Sequence, residues 1–201
     1  MAAMPRELVL ASGNAGKLAE FQALFALSGI TLRAQSEFGI RPPPETGATF
    51  LANALLKARY AAQHSHGAAL ADDSGLEVDA LGGAPGVYSA RYAGEGASDA
   101  ANIDKLLVAL ADVPDAQRSA RFRCVIACVR NAGDPQPLIA QGCWQGRILR
   151  ERCGAGGFGY DPVFVDLTTG LTAAQLDTAS KNARSHRGLA LRNLMALLDL
   201  Q

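Results

Sequence analysis

No stretch of this chain approaches the roughly 20 consecutive apolar residues that a membrane-spanning helix needs. The sequence therefore predicts no membrane partner. The opening Met1-Ala2-Ala3-Met4-Pro5-Arg6 is too short for a secretion signal, so the expected location is the cytoplasm. Net charge is also missing. Lys+Arg and Asp+Glu number 19 each, which leaves neither the basic bias that holds a nucleic-acid backbone nor an acidic tail. No nucleic-acid partner is expected. Arginine outnumbers lysine, but the arginines are scattered and form no patch. Cysteine is sparse: Cys124, Cys128, Cys143 and Cys153 make no Cys-x-x-Cys pair, which disfavours a zinc site or a disulfide framework. Histidine is sparser still. His64, His66 and His186 are placed badly for a histidine metal centre, so any metal would be a hard cation held by carboxylates.

What is present is a chain of 201 residues with 49% hydrophobic content, enough for a large core and expected to form a single domain over residues 1–201. The apolar run Leu8 to Ala11 predicts a buried strand. Ser12-Gly13-Asn14-Ala15-Gly16-Lys17 follows as a glycine turn, and Leu18 to Leu27 as a helix that Gly29 ends. Such a turn aims backbone N–H groups and a positive helix end at one point, with Lys17 beside it, and suits a phosphate. An ordinary strand-to-helix connection fits the same residues. Thr31 to Ala34 reads as a strand, and Pro42-Pro43-Pro44 as a stiff connector delivering Glu45-Thr46-Gly47. A helix is expected from about Thr49 to His64. Its Asn53 and Lys57, four apart, share a face that reads as solvated.

Ala68 to Ala71 predicts a strand ending in Asp72-Asp73-Ser74-Gly75, with Leu76 to Val78 returning from that turn. Asp99 to Leu110 reads as a helix. Phe122 to Val129 and Leu138 to Trp144 read as a hairpin, with Gly146 to Leu149 extending it after a bend. In Gly154 to Pro162 four glycines surround Phe158 and Tyr160, so backbone can approach a ligand and aromatic faces can stack on a base. Val163 to Val165 is a further strand, and Thr172 to Leu176 is expected to begin a short helix. Before the last helix, Lys181 and His186-Arg187 place cations near a helix start, a conflict that an anionic ligand would resolve.

Two chemical sets emerge. Donors and cations stand at Ser12 to Lys17, Lys57, Lys181 and His186-Arg187, and carboxylates at Glu45, Asp72 and Asp73. A polyphosphate with a divalent metal needs both: cations neutralise its oxygens, carboxylates hold the metal, and one carboxylate can take a proton from water. Asp72 and Asp73 point to opposite sides if the segment is extended, so both need not face one metal. Residues alone leave open which takes the proton. The turn is not a Walker loop, because Leu18 follows Lys17 where Ser or Thr is required.

Six motifs then fall in order along nearly the whole chain. They are Ser12 to Lys17 with Glu20, Glu45-Thr46-Gly47, Ala71 to Leu76, Pro85 to Arg91, Gly157 to Pro162 and Ser185-His186-Arg187-Gly188. Together they resemble the inosine triphosphate pyrophosphatase family, in particular the bacterial RdgB-like enzymes acting on noncanonical purine NTPs. The resemblance implies an α/β fold, an elongated mixed sheet flanked by helices in two lobes, with the nucleotide in a cleft between them. It implies hydrolysis of ITP, dITP and XTP to monophosphate and pyrophosphate, dependence on Mg²⁺, and a homodimer. Carried over by position, it implies Asp73 as proton acceptor and metal ligand, with Glu45 as the second metal carboxylate. Ser12, Gly13, Asn14, Ala15, Gly16 and Lys17 would hold the triphosphate. Ser74, Lys181, His186 and Arg187 would contact substrate, and Phe158, Gly159, Tyr160 and Asp161 would surround the base. Two other readings compete: a Maf-like pyrophosphatase for modified pyrimidine nucleotides, and a nucleotide-binding sensor without turnover.

Overall fold

The structure, a computed structural model, describes residues 5–199 apart from Asn14 and Leu27. A six-stranded mixed sheet carries the described helices. Its strands are β1 (Glu7–Leu10), β2 (Thr31–Ala34), β3 (Ala69–Val78), β4 (Ser119–Val129), β5 (Leu138–Ile148) and β6 (Phe164–Asp166), in the order β2-β1-β3-β4-β5-β6. β1 runs parallel to β2, with Leu8 opposite Leu32, and parallel to β3, with Leu10 opposite Leu70. β6 is antiparallel to β5. The helices are α1 (Ala15–Phe25), α2 (Phe50–Ser65), α3 (Asp99–Ala109), α4 (Thr178–Arg184) and α5 (His186–Asp199).

The chain forms two compact units, and β3, β4, β5 and α5 each contribute to both. The first comprises residues up to Asp73, Cys124–Gly142 and the stretch from Leu189. Its core gathers Leu8, Leu10, Phe21, Phe25, Leu70, Ile126, Leu191 and Leu194. Val9, on the other face of β1, is buried too, which is why this strand reads as an unbroken apolar run. The second comprises Ser74–Arg123 and Cys143–Gly188, around Leu76, Ile103, Leu106, Phe122, Trp144, Tyr160 and Phe164.

Helix starts follow capping chemistry. Thr49 Oγ1 accepts from Ala52 N at 3.1 Å, Ser98 Oγ from Ala101 N at 3.2 Å, and an Asp177 carboxylate oxygen from Ser180 N at 2.8 Å. Four expectations are corrected. No turn separates Asp72 from Leu76, because β3 runs unbroken for 10 residues. β5 likewise continues through Gly146, where a side chain would strike the Phe164 ring and come within 2.5 Å of Val165 O. Thr172 begins no helix: it bridges to Val165, and the next helix waits for the Asp177 cap. Lys181 belongs to that separate helix, α4, which Ser185 ends before α5 begins.

Candidate active site

The first unit concentrates its charge where β3 meets the connector from Pro44 and α2. Alternation along β3 sends the two adjacent aspartates to different partners. Asp72 Oδ2 accepts from Lys17 Nζ at 2.8 Å and lies 3.9 Å from the Cys124 thiol. Asp73 Oδ1 accepts from Lys57 Nζ at 3.1 Å, and Asp73 Oδ2 accepts from Asn53 Nδ2 at 3.1 Å. The same Lys57 ammonium donates to Glu45 Oε1 at 2.7 Å. One cation thus stands between two carboxylates that come from different segments.

Asn53 has a second task. Its Oδ1 accepts from Gly47 N at 2.7 Å, which ties the Glu45-Thr46-Gly47 segment to the amide that holds Asp73. Gly47 is required there, since a side chain would lie 2.6 Å from Asn53 Oδ1 and 2.8 Å from the Ala52 side chain. The expected solvated face of α2 is therefore corrected: Asn53 and Lys57 are both buried. Their i, i+4 spacing was the available signal, but the spacing alone does not reveal the carboxylate opposite.

Electrostatics follows from this burial. Desolvation raises the Asp73 carboxyl above its ordinary range, the Lys57 charge opposes that rise, and Glu45 adds to it. Burial works to lower the Lys57 ammonium, but Asp73, Asp72 and Glu45 outweigh it and hold the group above its usual value. Ser12, Gly13 and Gly16 lie around the start of α1, with Lys17 in its first turn; Asn14 lies outside the described residues.

The second unit carries the other predicted residues. Lys181 Nζ pairs with Asp161 Oδ2, which also accepts from Phe158 N at 2.9 Å. Gly157, at φ +75°, has no room for a side chain, because the Asp161 carboxylate occupies that space. Phe158 is exposed, and two cations flank its ring: Lys181 Nζ at 4.9 Å and Arg187 Cζ at 5.7 Å from the centroid. Arg187 Nη2 donates to Ser74 Oγ at 3.1 Å. Gly159 N donates to Asp99 Oδ2 at 2.6 Å. Tyr160, paired with Phe158 in the sequence reading, is buried instead, and its hydroxyl donates to Ser89 O at 2.8 Å. Ser89 in turn accepts from Leu76 N at 2.9 Å, which gives the Pro85 to Arg91 motif a structural task. His186 is buried at the start of α5 against the Phe122 ring.

A family model described as the Ham1 family matches residues 8–197. The chain belongs to the Ham1 family. A dITP/XTP pyrophosphatase of Xylella fastidiosa (strain 9a5c) is 59% identical over 189 residues, covering 94% of this chain and 95% of the relative. One from Escherichia coli O157:H7 is 54% identical over 96% of this chain and 98% of its own. Among solved structures, a HAM1 protein from Coxiella burnetii superimposes with a TM-score of 0.92 at 51% identity, covering 97% of this chain and 99% of that one. The mixed sheet with flanking helices is thus the architecture of solved Ham1 structures. Among the described residues no helix of this Ham1-family chain is long and apolar enough to cross a membrane.

Proposed function

We infer that this chain hydrolyses dITP, XTP and ITP to the monophosphate and pyrophosphate, clearing deaminated purines from the nucleotide pool. The printed activity of relatives 54–59% identical over nearly the whole chain supports the substrate class. The geometric observation that carries the reaction type is the Lys57 ammonium held between Glu45 and Asp73. Attack of water at the α-phosphorus calls for a base, for cations against the developing charge, and for an anchored polyphosphate. The first unit supplies all three.

In this reading Asp73 takes the proton from water. Asn53 and Lys57 each occupy one of its oxygens and fix the carboxylate plane, while lone pairs remain for the incoming proton. Its upward shift moves it toward the range in which a base works best near neutrality. Ser12, Gly13, Ala15, Gly16 and Lys17 bind phosphate oxygens at the start of α1, and Asn14 joins them in this reading.

The donor set fits Mg²⁺. No group of three metal-ligating side chains is present among the described residues, and Mg²⁺ commonly uses one or two carboxylates plus substrate phosphates and water. Glu45 and Asp73 are such a pair, already converging on one positive charge. Mg²⁺ bound there would neutralise phosphate oxygens and orient them.

The second unit reads the base. Phe158 offers a flat exposed face, and Lys181, His186 and Arg187 offer donors to the 6-oxo group that distinguishes hypoxanthine and xanthine from adenine. Ser74 holds Arg187 and Asp161 holds Lys181 and the Phe158 backbone, while Gly159 N is tied to Asp99 and buried Tyr160 braces the loop. We further propose a homodimer acting in the cytoplasm; light scattering after gel filtration tests the first part. The activity is tested with a panel of dITP, XTP, ITP, dGTP, ATP and methylated UTP in the presence of Mg²⁺. The expected result is preference for the first three; preference for methylated UTP, or binding without turnover, would overturn the reading.

A further inference from the structure

His186 differs from the other proposed base-reading groups in what surrounds it. Lys181 and Arg187 flank the exposed Phe158 ring, whereas His186 is buried and stacked on Phe122. The backbone under His186 is fixed, because Ser185 Oγ accepts from Gly188 N at 3.1 Å and Gly188 leaves no room for a side chain against Asn182 O. A fixed backbone does not fix the ring. The terminal torsion of histidine is broad, and both ring nitrogens lie in the ring plane, so the plane decides where an N–H can point. A ring packed flat against the imidazole constrains that plane.

Phe122 is placed to do so. Its ring lies nearly parallel to the imidazole, with an interplanar angle of 11° and centroids 4.8 Å apart. Behind it, Phe164 tilts against Phe122 at 4.6 Å, and Trp144 stands edge-on to Phe164 at 5.0 Å. Trp144 is itself anchored: its Nε1 donates to the buried Asp166 Oδ1 at 3.1 Å, and Thr169 Oγ1 donates to the other oxygen at 3.0 Å. An aromatic series thus runs from a hydrogen-bonded carboxylate to the imidazole face. A leucine could fill much of the same volume, but only a flat ring defines a plane.

We propose that Phe122 is a positioning residue for base selection, holding the His186 imidazole in the plane from which it meets the purine. This rests on the reading that His186 contacts the base. The chain has three histidines, His64, His66 and His186, so ¹³C-labelled imidazole resonances are few enough to assign. Stacking on Phe122 places the His186 ring protons under an aromatic ring current. Phe122→Leu, and Phe122→Met as a volume-conserving second choice should leucine not fold, are expected to abolish that shift. They are also expected to raise KM for dITP about tenfold with kcat changed by less than about threefold. Phe122→Tyr keeps the flat ring and should retain both values. Ile148→Val, in the same core cluster, should lower Tm without moving either readout. A folded Phe122→Met with unchanged His186 resonances or unchanged KM for dITP overturns the proposal, as does Phe122→Tyr behaving like leucine. His186→Ala separates the two layers. If it leaves KM for dITP unchanged, the underlying reading falls and the proposal with it; if it raises KM while Phe122→Met does not, only the proposal falls.

Discussion

Asp73 is held at both oxygens, by Asn53 and by Lys57, inside a buried pocket of charge in the first unit. Asp73→Asn should therefore keep the fold and lower kcat by about 100-fold or more, as measured by initial rates of pyrophosphate release. The burial that raises the Asp73 carboxyl also makes a pH prediction. A base works unprotonated, so a raised value moves the acid limb of kcat/KM above the ordinary aspartate value of 3.8. Asp134 makes the opposite case. The Arg130 guanidinium, against a smaller cost of burial, holds its carboxyl well below the usual range. A depressed folded value means that stability is present above the unfolded value and lost as pH falls through the folded one. Asp134→Asn should thus cost stability at pH 7 in urea denaturation, and the difference from the parent should narrow below about pH 4. Charge economy points the same way. Lys17, Lys57, Lys105 and Lys181 are the lysines of the chain, and all except Lys105 face carboxylates of the proposed machinery.

At the next level up, α2 presents Asn53 and Lys57 to β3 and fixes the Glu45 to Gly47 segment beneath them. Gly47→Ala should push that segment off Asn53, lowering kcat/KM at least about tenfold with only a small fall in Tm. Arg118 plays a structural part of comparable weight. It is buried and donates to Leu110 O at 2.6 Å, Ile148 O at 3.0 Å and Leu149 O at 2.8 Å, joining the end of α3 to the end of β5. Arg118→Met would remove all three of those bonds, leaving Leu110 O to Val113 N, and should cost about 2–4 kcal/mol in denaturant unfolding. Most of these elements are legible in the sequence, because caps such as Thr49 and apolar periodicity act locally. The departures at the candidate site have one cause. Turn-forming Asp72-Asp73-Ser74-Gly75 sits mid-strand because Lys17, Lys57 and Asn53 satisfy its carboxylates from segments 16 to 55 residues away. No local signal reports such partners. For the same reason Asn53 and Lys57 read as solvated, and Tyr160 reads as a stacking face although Ser89 claims its hydroxyl.

Across the whole molecule, the groups proposed for phosphate chemistry belong to the first unit and those proposed for the base to the second. The family resemblance was legible because its motifs occur in order over nearly the full length, and so was the proposed division between phosphate and base groups; the boundary between the units was not, since β3, β4, β5 and α5 contribute to both. Attack at the α-phosphorus can be followed with dITP, Mg²⁺ and ¹⁸O-water, the products being resolved by ³¹P NMR. The account predicts pyrophosphate and dIMP, with the label on the dIMP phosphorus. Orthophosphate with dIDP would contradict it.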